Sequence, residues 1–72
     1  MKIRVGDQLF ARGKWVTLCQ VMDETDLFEE DGDPDVTVLY VQEVHPEGMG
    51  SHLYLNLWEV EAVMEEVERR AA

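Results

Sequence analysis

Ile3 and Val5 alternate with Lys2 and Arg4, and after Gly6-Asp7 the apolar stretch resumes at Leu9, Phe10 and Ala11, which predicts a bent or interrupted first strand. Gly13 comes next, and because glycine reaches positive φ cheaply, a tight hairpin is expected at Arg12 to Lys14. From Trp15 to Met22 the chain is apolar on both alternating faces, Trp15, Cys19 and Val21 on one and Val16, Leu18 and Met22 on the other, as suits a central strand. Val36 to Val44 is rich in β-branched and aromatic residues, free of Gly and Pro, and carries the strongest strand signal of the chain. Residues 45–51 hold one proline and two glycines and predict a turn or short loop, after which Leu53 and Leu55 alternate with His52, Tyr54 and Asn56 as a fourth strand.

Beyond Asn56 the period changes. Asn56 suits an N-cap, Glu59 could close a capping box, and Leu57, Val60, Val63 or Met64, and Val67 make an apolar stripe. Glu65 with Arg69 and Glu66 with Arg70 stand at helical i,i+4 spacing in the favourable orientation. A strand over 59–67 is the other reading, but it leaves Val63 on the wrong face, so a helix is expected over 57–70. The pattern as a whole predicts a single domain over 1–72, mainly β with a C-terminal α-helix.

Composition adds a lopsided charge. The net charge is −10, and the stretch Asp23 to Asp35 supplies eight of the sixteen acidic residues without one basic partner. Residues 23–35 therefore read as an acidic loop between two core strands. Its field repels phosphate backbones and anionic lipid and attracts basic protein surfaces, which excludes direct nucleic-acid binding and membrane association from the expected roles. A chain of 72 residues buries only about 60% of the surface its unfolded form exposes, so the core is small and a deep enzyme cleft is hard to fit. The single cysteine, Cys19, allows no internal disulfide, and the first residues lack the apolar run of a signal peptide; a cytoplasmic location is expected.

The pattern VGDQLFARGKWVTLCQVMD, followed after the loop by VTVLYVQEV, resembles the opening of SH3-like small β-barrels of the KOW or Tudor type. Val5, Gly6, Asp7, Gly13 and Trp15 carry the resemblance, which covers residues 3–57. It implies a small barrel of about four to five antiparallel strands, here with one helix added, that binds a peptide, a protein surface or nucleic acid without catalysis. The chain is also similar to short proteins of phage and other mobile elements. The acidity of the loop departs from the nucleic-acid role of KOW-like modules, and Trp15, Tyr40, Tyr54 and Trp58 lack a spacing that forces them into an aromatic cage.

Candidate chemistry is sparse. Asp31, Asp33 and Asp35 start like a calcium loop, but Val36 stands where glycine is needed and Gln42 where the bidentate glutamate belongs. Clustered carboxylates leave only adventitious divalent-cation binding as the alternative to a solvated loop. Cys19, His45 and His52 are too few for a closed zinc site, no nucleophile stands in a recognisable triad, and neither enzyme activity nor a cofactor is expected.

Recognition remains. Leu27 and Phe28 are the large apolar residues of the loop, and Phe28 is expected either to fold back on the core or to anchor a partner that Asp26, Glu29, Glu30, Asp31, Asp33 and Asp35 steer. Asp31, Asp33 and Asp35 in an extended chain, or Glu61, Glu65 and Glu68 on a helix, would make carboxylate rows resembling a phosphate backbone. The expected function is thus a non-catalytic acidic protein-binding or regulatory module, a nucleic-acid mimic of phage or mobile-element type that inhibits or modulates a host nucleic-acid-processing protein. The alternative is a structural subunit, a homo-oligomer assembled through Trp58, Met64 and Val67, in which the loop only provides solubility.

Overall fold

Leu9, Val16, Leu18, Leu39, Val41 and Leu55 are the largest side chains withdrawn from solvent, and they come from four different strands. In the computed structural model, which describes residues 2–65, these strands and a fifth form one antiparallel sheet in the order β4-β3-β2-β1-β5. The strands are β1 (Gln8–Ala11), β2 (Lys14–Asp23), β3 (Thr37–His45), β4 (Gly48–Asn56) and β5 (Ala62–Met64). One helical turn, α1 (Thr25–Phe28), and a 3-10 turn (Glu29–Asp31) lie between β2 and β3, and a second 3-10 turn (Leu57–Glu59) lies between β4 and β5. No described helix is long and apolar enough to cross a membrane.

The interrupted first strand resolves into a turn and a strand. Gly6 adopts φ 100, and the Asp7 carboxylate, on a residue only 4% exposed, accepts from the Arg4 amide at 2.8 Å. Gly6 N also donates to the Leu18 carbonyl and Leu18 N to the Asp7 carbonyl, so the Gly6-Asp7 bend is sewn to the middle of β2. Regular pairing starts only at Gln8. The hairpin expected at Arg12 to Lys14 is present, with positive φ at both Arg12 and Gly13, the geometry that matches the twist of two antiparallel strands.

A β-bulge interrupts β2, which is apolar on both alternating faces. Leu18 pairs with Val41 but Gln20 pairs with Tyr40, leaving Cys19 as the extra residue. Val16 and Leu18 are buried in the core before the bulge; after it β2 leaves the core, with Val21 45% exposed although it pairs with the buried Leu39, and Met22 half-buried opposite the buried Val38. A second register shift lies between β3 and β4: Gln42 pairs with His52 but Val44 pairs with Met49, so the extra residue is in β4, at Gly50-Ser51.

Two expected elements are corrected. The loop expected over 45–51 is a turn at Pro46-Glu47, and β4 already begins at Gly48. Pro46 presets the turn, Gly48 takes φ 145, and Gly50 leaves room for the His45 ring, so the glycines serve a strand that the sequence pattern assigned to a loop.

The helix expected over 57–70 is not formed by its described part. The Asn56–Glu59 capping box is present, yet it closes a single 3-10 turn, and Val60 leaves it in an extended conformation. Ala62, Val63 and Met64 then pair with Phe10, Leu9 and Gln8 along β1. Val60 enters the core and Val63 packs against it; pairing and burial at the open edge of β1 outweigh a helix preference worth only tenths of a kcal/mol per residue, about 0.7 at most. Residues 66–70, the remainder of that expected helix, lie outside the described residues.

Candidate functional site

The acidic loop is held by its own carboxylates. Asp23 Oδ1 accepts from Thr25 N at 2.8 Å and from the Thr25 hydroxyl, and Asp26 Oδ2 accepts from Asp23 N at 2.9 Å. The hydroxyl contact, followed by those two amides, holds the Asp23 carboxyl below its ordinary range. Glu24 works at both ends of the loop: its amide donates to the Val36 carbonyl, and its Oε1 accepts from Asp33 N at 3.1 Å. Asp33 in turn accepts from Asp35 N at 2.8 Å, a side-chain turn of the kind aspartate makes readily.

Gly32 is required by this closure. A Cβ there would overlap the Glu24 backbone, so the chain can double back only at a residue without a side chain. Glu29 accepts positive φ at 54, which turns the chain between α1 and the 3-10 turn. The ordered loop spends Asp23, Glu24, Asp26 and Asp33 on internal hydrogen bonds. Glu29, Glu30, Asp31 and Asp35 are exposed, and among the described residues their carboxylates accept none of these bonds, Asp35 and Glu29 taking part only through their backbone.

Leu27 is half-buried, and α1 rests on β2. Phe28, its neighbour, is 57% exposed. The two apolar residues of the loop thus differ, Leu27 half-buried and Phe28 mostly in solvent. The register puts a second aromatic at the same end of the sheet: Asp23 pairs with Thr37 where the loop leaves, and Val38 pairs with Asn56 just before the 3-10 turn that carries Trp58. Trp58 is 80% exposed.

The carboxylate rows expected from sequence do not form. Asp31 closes a 3-10 turn and Asp33 and Asp35 belong to a side-chain turn, so the three share no extended segment. Glu61 precedes a strand, which removes the helical stripe with Glu65, and Glu68 lies outside the described residues. The loop presents acid as a cluster without phosphate-like spacing. Of the expected assembly residues, Trp58 is exposed, Met64 is half-buried opposite Gln8 in β5, and Val67 lies outside the described residues.

Two cations are tied down elsewhere. Arg12 grips Glu59 with Nε and Nη2, and Lys14 bonds Glu43 on β3, whose other oxygen lies 3.4 Å from His45 Nε2. The Lys14 contact first and the His45 contact second hold the Glu43 carboxyl below its ordinary range. Cys19 is half-buried with Sγ 3.6 Å from the Thr17 carbonyl, and no group of three or more His, Cys, Asp or Glu side chains converges as a metal site among the described residues.

One cluster was missed by sequence reasoning. Tyr40 stands directly opposite Tyr54, ring centroids 5.0 Å apart, and stacks on His52 at 5.0 Å and 5°. Alternation in β4 places His52 and Tyr54 on one face, but their meeting with Tyr40 depends on the hairpin turning at Pro46-Glu47. No protein-family model, curated protein or solved structure matches the chain.

Proposed function

We propose that this protein is a non-catalytic acidic recognition module that engages a basic protein surface through the loop from Asp23 to Asp35, with Phe28 as the apolar anchor. The observation that carries this reading is the exposure of Phe28 on a loop tied in place by its own hydrogen bonds. An aromatic held outward on a fixed loop is preorganised for contact and loses little freedom on binding, while Glu29, Glu30, Asp31 and Asp35 steer a cationic surface towards it. Trp58 at the same end of the sheet widens the aromatic contact. A nucleic-acid-processing protein, whose groove is basic by necessity, is the partner class this field suits, and regulation or inhibition follows from occupying that groove.

The same proposal takes the sheet as an SH3-like small barrel. Its support is the strand order β4-β3-β2-β1-β5, the bulge that bends β2 between β1 and β3, and the 3-10 turn linking β4 to β5.

The test is capture of proteins from a host lysate at low and moderate salt on three baits: the wild type, Phe28→Ser, and a variant carrying Glu29→Gln, Glu30→Gln, Asp31→Asn and Asp35→Asn. The wild type should retain basic proteins that both variants lose and that salt releases. Retention of the same proteins by all three baits at both salt concentrations would sink the proposal.

Trp58 supports a second reading, assembly of like subunits through the turn after β4. Sedimentation across a concentration range separates the two: a stable monomer, unchanged by Trp58→Ser, removes the assembly role.

A further inference from the structure

β4 is an outermost strand of the sheet, and among the described residues nothing pairs with its free edge. It runs for nine residues, Gly48–Asn56, without a lysine or proline, two devices that commonly blunt an exposed edge. The opposite edge strand, β5, has only three residues and offers a much shorter template. A register shift puts one extra residue in β4 at Gly50-Ser51, a bulge that interrupts the first part of the edge, so the regular row of backbone donors and acceptors suited to receiving another strand runs from His52 to Asn56.

The outward face beside that edge has a definite chemistry. His52 and Tyr54 are both exposed, and Tyr40 lies against both rings. Cross-strand pairing continues the same rows to Gln20 and, through Gln42, to Thr17, so the floor is aromatic and amide in character without a formal charge. Acid flanks it at both ends: Glu47 sits in the hairpin, and the acidic loop leaves β3 at the end where Val38 meets Asn56. In a chain of net charge −10, such a floor repels phosphates and acidic peptides and attracts cations. Among cations, the planar guanidinium stacks on aromatic rings where the compact, strongly hydrated ammonium of lysine gains less.

We infer that the free edge of β4 accepts an extended, arginine-bearing segment of a protein partner as an added strand, with one arginine laid on Tyr54 and a second, two residues along, beside His52. A residue directly across from Tyr54 shares its face at a Cβ separation of about 4.5–5.5 Å, and strand alternation returns the next such residue opposite His52. This rests on the proposal that the partner is basic, and it adds where and in what conformation the basic segment binds.

The test uses the full chain and three synthetic peptides. One alternates arginine with threonine, the second replaces every arginine by lysine, and the third keeps the arginines but is N-methylated at alternate amides, which removes strand pairing at constant charge. Affinity is followed by fluorescence anisotropy and backbone protection by amide hydrogen exchange. The arginine peptide should protect the amides of β4 and bind more tightly than both others, and Tyr54→Leu should weaken it about two- to fivefold.

Equal binding of the N-methylated peptide, or absent protection along β4, overturns the inference. If those peptides still lose affinity for the loop-neutralised variant, the acidic recognition module survives and only the edge site fails. Protection of β4 together with indifference to loop neutralisation gives the reverse result. Protection that appears without peptide and rises with protein concentration identifies a second copy as the occupant and also overturns the inference. The peptide comparisons use the wild-type protein, so the outcome stands even if Tyr54→Leu fails to fold.

Discussion

Arg12 donates to both oxygens of Glu59, from Nε to Oε1 at 2.8 Å and from Nη2 to Oε2 at 3.1 Å, and so ties the β1–β2 hairpin to the turn that follows β4. Glu59 Oε2 also accepts the Asn56 amide at 2.8 Å. The arginine first and the Asn56 amide second hold the Glu59 carboxyl below its ordinary range. A carboxyl depressed in the folded state binds its proton more readily when unfolded, so its contribution is fully present above the unfolded value of about 4.3 and is lost as pH falls through the folded one. Glu59→Gln should therefore lower the urea midpoint at neutral pH, with the gap to the wild type narrowing as the solution is acidified. A gap that stays constant into acid would show that the ion pair contributes through geometry alone.

Leu39 tests how thin the core is. It is fully buried in β3, between Val21 and Leu55, and truncation to alanine removes apolar contacts that so small a core cannot replace. The expected loss is about 2–5 kcal/mol, against a total stability on the order of 5–15 kcal/mol for a domain. Leu39→Ala should be largely unfolded near body temperature, as read by circular dichroism melting.

Phe28→Ser should leave the melt almost unchanged. The ring is mostly exposed, and surface substitutions of this kind stay within about 0.5 kcal/mol. Loss of partner capture with an unchanged melt would separate recognition from folding. A melt lowered by several degrees would instead mean that Phe28 supports the fold.

Gly32→Ala acts locally. The added Cβ meets the Glu24 backbone, so the loop must open there and give up the bond from Asp33 N to Glu24 Oε1. Amide exchange should quicken at Asp33 and Val36 while Leu39 and Val41 keep their protection. Uniform quickening throughout β3 would show that the loop and the sheet unfold together.

The mainly β character and four of the strands were legible because apolar residues recur with period two, as at Val16 and Leu18, Leu39 and Val41, and Leu53 and Leu55. The helix expected at 57–70 failed for a nonlocal reason. Asn56 and Glu59 do make a capping box, but no local pattern reveals that the edge of β1 lies free to take Ala62, Val63 and Met64. The loop's acidity was plain from composition, yet the division of its carboxylates between Asp33, which holds the chain, and Asp31, which faces solvent, depends on backbone partners nine or fewer residues away that only the folded chain brings into place. The Tyr40, His52 and Tyr54 cluster stayed hidden because register, set by a turn two residues long at Pro46-Glu47, decides which aromatics meet.

The bulge in β2 gives Cys19 an unusual standing. Leu18 already pairs with Val41 and Gln20 with Tyr40, so removing residue 19 would join two neighbouring pairs and leave every side chain on its present face. The residue is thus dispensable for alignment and needed only for the bend that an extra residue imposes. A shortened chain lacking it would isolate curvature from pattern: with the same core sequence and the same pairs, it would report how much of the protein's stability resides in the shape of a single strand.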